Sequence, residues 1–179
     1  MSDFKPDPEF WKKSTYSTLW RKHRNNVQEL NFTLLQRFPE LNGCIKEGLG
    51  AKTDEWLKIP PDEKNEPDLI LHKDYKPFSC IEISGSDKVD MPNNIWIRPA
   101  KIDEAVKKGI LYFFYMVYKN EKRIVDIETA KKYRKNVKIV HIKKNPTTGV
   151  PIPEKYCEIP YEASKPIEEL FDFIKEKLE

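Results

Sequence analysis

Residues 66–88 read EPDLILHKDYKPFSCIEISGSDK. Two β-like runs, DLILHK at 68–73 and FSCIEIS at 78–84, flank a short connection around Asp74 to Pro77 that suits a hairpin. Residues two apart in a strand face the same side, so Phe78, Cys80, Glu82 and Ser84 share one face while Ile81 and Ile83 share the other. A glutamate set among Ile, Cys and Ile must be paired, hydrated or metal-bound to offset its desolvation. Asp68 follows Pro67 at the start of the neighbouring strand, within reach of Glu82 if the two strands pair. Two carboxylates converging at a sheet edge make an oxygen-ligand set suited to Mg²⁺, with positions left for water and a phosphate.

Upstream, residues 9–38 carry Leu19, Trp20, Val27, Leu30, Leu34, Leu35 and Phe38 at a spacing that predicts a helix with one buried stripe, interrupted near Asn25 and Asn26 and ended by Pro39. Trp11, Leu19 and Trp20 read as core, and Lys12, Lys13, Arg21, Lys22 and Arg24 as solvated or in contact with nucleic acid. Residues 42–67 hold glycines and Pro60-Pro61, which predicts irregular structure with at most a short helix near Asp54 to Lys58.

Downstream, IWIR at 95–98 reads as a third strand, and AKIDEAVKK as a helix opened by Pro99 and closed by Gly109. ILYFFYMVY at 110–118 is apolar on both alternating faces, the pattern of a central strand covered on both sides. RIVDI, a short basic helix in ETAKKYRKN and the strand VKIVHIK follow, with KNPTTGVPIP as a loop. Ser164 is expected to cap a last helix that buries Ile167, Leu170, Phe171, Ile174 and Leu178.

Pro67-Asp68, a gap, and then Glu82 in the middle of a strand resemble the motif of the PD-(D/E)XK nuclease superfamily. The order of helix, three strands, helix and strand resembles its core as well. The resemblance implies a restriction-endonuclease-like fold: a mixed β-sheet flanked by helices, core order αβββαβ, with C-terminal β and α additions. It implies Mg²⁺-dependent hydrolysis of phosphodiesters, DNA before RNA, with Mn²⁺ able to substitute. Asp68 and Glu82 would be the catalytic metal ligands, joined by Glu29 from the first helix. The family lysine, two residues after the glutamate, is here Ser84, which keeps a hydroxyl but no charge. In parts of the superfamily this lysine has moved to the helix after the third strand, which makes Lys101 the first candidate and Lys88 its competitor. Arg98, Lys88 and Lys108 are candidate contacts to nucleic acid, Arg98 because guanidinium matches phosphate oxygens in a bidentate fork. A binding or assembly protein that keeps the fold without the chemistry is the alternative, motivated by Ser84.

The charge distribution agrees with a phosphate partner. Residues 99–144 carry 13 Lys or Arg against 5 Asp or Glu, while residues 48–98 carry 7 against 10, so a basic segment lies beside an acidic one. The chain of 179 residues is read as one domain. Its opening residues lack a signal-peptide core and no run approaches the roughly 18 apolar residues of a membrane helix, so an intracellular protein is expected, without a membrane partner and with a homodimer plausible. Cys44, Cys80 and Cys157 have no metal-ligand spacing and read as reduced core residues. Only Gln28 and Gln36 stand among many Lys and Glu, a composition that leans toward a thermophilic source. His23, His72 and His141 lie far apart, and no phosphate loop or dinucleotide fingerprint is present.

Overall fold

The computed structural model describes residues 14–45, 67–86, 89–144 and 149–179. The first elements are α1 (Ser14–Arg37), β1 (Leu41–Ile45), β2 (Leu69–Lys73), β3 (Lys76–Ser86) and β4 (Asn94–Ile97). Next come α2 (Pro99–Lys108), β5 (Leu111–Tyr118), β6 (Lys122–Asp126), α3 (Ile127–Lys132) and β7 (Val137–Lys144). The chain closes with β8 (Pro151–Pro160), a 3₁₀ turn (Tyr161–Ala163), β9 (Lys165–Pro166) and α4 (Glu168–Leu178).

Six strands form the main sheet in the order β1-β2-β3-β5-β6-β9. β3 and β5 run parallel and every other pair is antiparallel. The parallel pair needs a crossover, which α2 supplies. The core order is therefore αβββαβ, a mixed sheet flanked by helices, as the sequence leads one to expect. Tyr112 through Val117 are all buried, as the doubly apolar pattern of β5 requires. One face of the sheet packs Leu69, Leu71, Ile81, Ile83 and Phe113 against Leu30 and Leu34 of α1 and Leu170 and Ile174 of α4. The other face packs Cys80, Tyr112, Phe114 and Met116 against Ile102 and Ala105 of α2, Ala130 of α3, and Ile95, Cys157 and Ile159 of a second sheet. That second sheet has three strands in the order β4-β8-β7.

Several expectations change. IWIR does not join the main sheet; as β4 it pairs with β8, because Ile95 and Ile97 face Cys157 and Ile159 across that ladder and bury with them. The third core strand is instead β3, and the place of the first is taken by β1, in a stretch read as irregular. Gly43 obscured β1 as a strand but is what lets it form, since a Cβ there would collide with the Asn31 amide of α1. The strand β8 takes in PIP of the expected loop; Pro151 and Pro160 sit at its ends and Pro153 at the register shift against β7, places where a missing N–H is tolerated. α1 is unbroken at Asn25 and Asn26, with Asn25 on the exposed side. The hairpin turns at Asp74 and Tyr75, both at positive φ (51° and 63°), the conformation of a two-residue type I′ turn. Ser164 caps no helix, as α4 begins at Glu168 behind Ile167. It is buried, accepts from Arg123 Nε at 3.0 Å and donates to the Tyr161 carbonyl at 2.6 Å, fastening β6 to the turn before β9. The expected helix near Asp54 to Lys58, the side chains of Trp11 and Trp20 with their basic neighbours, and Lys88 lie outside the described residues.

Asp126 begins α3 by accepting from the Thr129 N–H at 2.8 Å, and its other oxygen meets Lys165 Nζ at 3.2 Å. Burial works against its charge, but the Thr129 N–H and Lys165 outweigh it and hold the carboxyl below its ordinary range. A depressed folded pKa stabilises above the unfolded value of about 3.9 and is lost as pH falls through the folded one. Asp126→Ala is therefore expected to cost about 1 kcal/mol in urea unfolding at neutral pH, a difference that closes under acid conditions.

Candidate active site

β2 and β3 pair Leu69 with Ile81 and Ile70 with Cys80, so the same register carried one step outward sets Asp68 opposite Glu82. Directly opposed residues of an antiparallel pair have Cβ atoms about 5 Å apart. Both side chains lie on the α2 side of the sheet, since their neighbours Leu69, Ile81 and Ile83 fill the opposite core. Asp68 is half-buried and its Oδ2 accepts the Ile83 N–H at 2.8 Å, which fixes the carboxylate against β3.

From α2, Lys101 Nζ reaches Glu82 Oε1 at 2.9 Å. The two side chains are only 21% and 14% exposed, so water screens this pair far less than the other ion pairs of α2. The local sequence explains the approach. Pro99 opens the helix, Ile102 and Ala105 anchor it in the core, and Lys101 falls in the first turn, above the end of β3. Ser84 is exposed on the same strand face as Glu82, two residues further on.

The remaining candidates take other places. Glu29 meets Lys122 Nζ at 2.6 Å and lies with α1, whose buried residues pack on the opposite face of the sheet; the structure does not bring it to Asp68 and Glu82. Arg98, at the end of β4 rather than of a core strand, pairs with Glu154 at 3.0 Å and also feels the charge of Glu82. Lys108 is half-buried two turns along α2 from Lys101, on the same side of the helix.

Tyr112 belongs to the site and was not read from the sequence. It is fully buried on β5, next to Cys80 in the ladder and diagonal to Glu82 on the same face. Burial, and then the charge of Glu82, push its phenol far above the usual range, so it stays a hydrogen-bond donor. Its hydroxyl has no hydrogen-bond partner among the described residues. In ILYFFYMVY the phenol is one more aromatic in an apolar run, and only the pairing with β3 distinguishes it.

Among the described residues no group of three or more His, Cys, Asp or Glu converges. Two facing carboxylates fit Mg²⁺, which is commonly held through one or two carboxylates and otherwise keeps water and substrate oxygens. The charges agree. Asp68, Glu82 and Lys101 sum to one net negative charge, which attracts a cation; a divalent ion would turn it into one net positive charge, the sign a phosphodiester needs.

No protein-family model matches the chain. No curated protein matches it in sequence. Among solved structures, the chain is similar to Hjc from Archaeoglobus fulgidus, a Holliday junction resolvase from an archaeal hyperthermophile, at 10% identity and a TM-score of 0.47, over 83% of this chain and 97% of that one.

Proposed function

We propose that this protein is a Mg²⁺-dependent nuclease that hydrolyses phosphodiester bonds, in DNA before RNA and internally before terminally. The observation that carries the reading is the approach of Lys101 Nζ to Glu82 Oε1 at 2.9 Å, on a carboxylate that faces Asp68 across a strand pair. It supplies the charge that Ser84 lacks, from a different element.

Asp68 and Glu82 would hold the ion, which when bound would neutralise phosphate charge and acidify a water. Lys101 directs an ammonium at the same oxygen-rich space. There it can orient the attacking water and oppose the negative charge that builds on the phosphoryl oxygens. Tyr112, held protonated, can donate from beneath the carboxylates, and the Ser84 hydroxyl can do so from the exposed end of the face. Lys108 and Arg98 flank Lys101 along the chain and are the proposed phosphate contacts outside the reacting centre.

The test is cleavage of plasmid, linear duplex, single-stranded and branched DNA with Mg²⁺, Mn²⁺ or EDTA. Metal-dependent cutting that disappears in Glu82→Ala supports the reading. Cutting that survives Glu82→Ala would remove Glu82 from the chemistry, and DNA binding without cutting in either metal would identify a binding protein on a nuclease-like scaffold, the reading that Ser84 motivates.

Metal binding has its own readout. Saturating Mg²⁺ or Mn²⁺ at about 100 times its Kd should stabilise the wild type by roughly 2.7 kcal/mol, visible as a rise in Tm. The double variant Asp68→Ala with Glu82→Ala should show no rise. An equal rise in both would move the ion elsewhere.

A further inference from the structure

The second sheet turns one face into the core with Ile95, Ile97, Cys157 and Ile159. Its other face presents Trp96 of β4, Tyr156 of β8 and Lys138 of β7. β4 pairs Ile97 with Cys157, so one further step sets Arg98 beside Tyr156, and Lys138 is the partner of Tyr156 on the other side. The Trp96 and Tyr156 rings lie 6.3 Å apart, and the Arg98 guanidinium is 5.9 Å from the Tyr156 centroid. This face is open to solvent: Trp96 is 38% exposed, and the Arg98 and Lys138 side chains are 51% and 56% exposed.

We infer that this face is a stacking platform for an unpaired nucleotide of the substrate, next to the scissile phosphate. Three observations favour that occupant. Both cations already have a carboxylate, Arg98 with Glu154 and Lys138 with Glu158, so these four charges cancel and leave no excess positive charge to track a duplex backbone beyond the single phosphate contact proposed for Arg98. What it offers is aromatic surface, and a base has a free π-face only when it is unstacked, as in a single strand, a tail or a branch. The platform is also continuous with the candidate site, because Arg98 is held over Tyr156, feels the charge of Glu82, and caps the turn that carries Lys101 through the Lys101 N–H to Arg98 carbonyl bond at 3.0 Å.

The inference rests on the nuclease reading for the identity of the ligand, and its test separates the two. Fluorescence anisotropy in EDTA, where no hydrolysis intervenes, would compare a labelled deoxythymidine oligomer, a blunt duplex, and a duplex with a single-stranded tail. Trp96→Ala is expected to weaken the oligomer and the tailed duplex by about tenfold and to leave the blunt duplex within about twofold. Trp96→Phe, which keeps a ring, should bind like the wild type and excludes a folding defect. The inference is overturned if the wild type does not bind the oligomer, if Trp96→Ala binds it unchanged, or if all three ligands weaken equally. Failure of the wild type to cleave the tailed duplex with Mg²⁺ or Mn²⁺ would overturn the nuclease reading and leave the EDTA result standing.

Discussion

Lys101→Ala is expected to lower the rate of phosphodiester hydrolysis by about 10²- to 10⁴-fold at neutral pH and saturating metal, with little change in affinity for DNA. This is the range for removing a positioned group that acts on the attacking water or the developing charge. A phosphate-binding surface lysine would behave differently, weakening binding and reducing its salt dependence while sparing the rate at saturation. The two roles are therefore separated by single-turnover rates at saturating enzyme. A sharper version returns the lysine to the strand. Ser84 is exposed on the same face as Glu82, so Ser84→Lys in the Lys101→Ala background should recover a measurable part of the lost rate. If Lys101→Ala cleaves within about threefold of the wild type, the ion pair with Glu82 is structural and the assignment falls.

Gly85→Ala should be the most damaging single methyl in the sheet. Gly85 lies in β3 at a φ of 106°, paired with Val117 of the central strand, and a Cβ would land on the Val117 carbonyl oxygen. Both objections apply at once, an unfavourable backbone conformation and a collision with backbone that cannot rotate away. The expected cost is roughly 3 kcal/mol or more, which for a chain of this size lowers Tm by about 10 °C. Ser84→Ala, one residue earlier and exposed, serves as the control and should leave Tm within about 1 °C. A Gly85→Ala protein that melts with the wild type would mean that the strand end relaxes freely and that β3 is not held to β5 at this point.

The parts of the fold that could be read from the sequence are those where periodicity and burial coincide. The doubly apolar run of β5, the Pro99 and Gly109 boundaries of α2 and the apolar stripe of α4 each follow from a local pattern. The candidate site was legible to the extent that Glu82 sits in an apolar strand, a setting that demands a partner. The misreadings arose where pairing, not propensity, decides. IWIR has the same β character whether it extends the main sheet or starts a second one, and the choice depends on β8, whose Cys157 and Ile159 alternate with Tyr156 and Glu158 in a stretch bounded by prolines. β1 was hidden by Gly43, a residue unfavourable to a strand in isolation and required by the close approach of α1. Glu29 was attractive because it lies in the first helix, but a helix can pack on either face of a sheet, and its apolar stripe sent α1 to the far side. Tyr112, Trp96 and Tyr156 take their roles from neighbours on other strands, information that no single stretch contains.

The hairpin of β2 and β3 holds two like charges directly opposite one another, an arrangement that disfavours its own register. The sequence separation from Asp68 to Glu82 is short, whereas Lys101 comes from the later helix and contacts Glu82 only when α2 has docked. Leu69, Leu71 and Ile81 hold the hairpin in register against this repulsion, and the Ile83 N–H binds the Asp68 carboxylate within it. The same two carboxylates that would recruit a cation in the finished molecule thus make Lys101, brought in by α2, a counter-charge that eases the hairpin's own electrostatics.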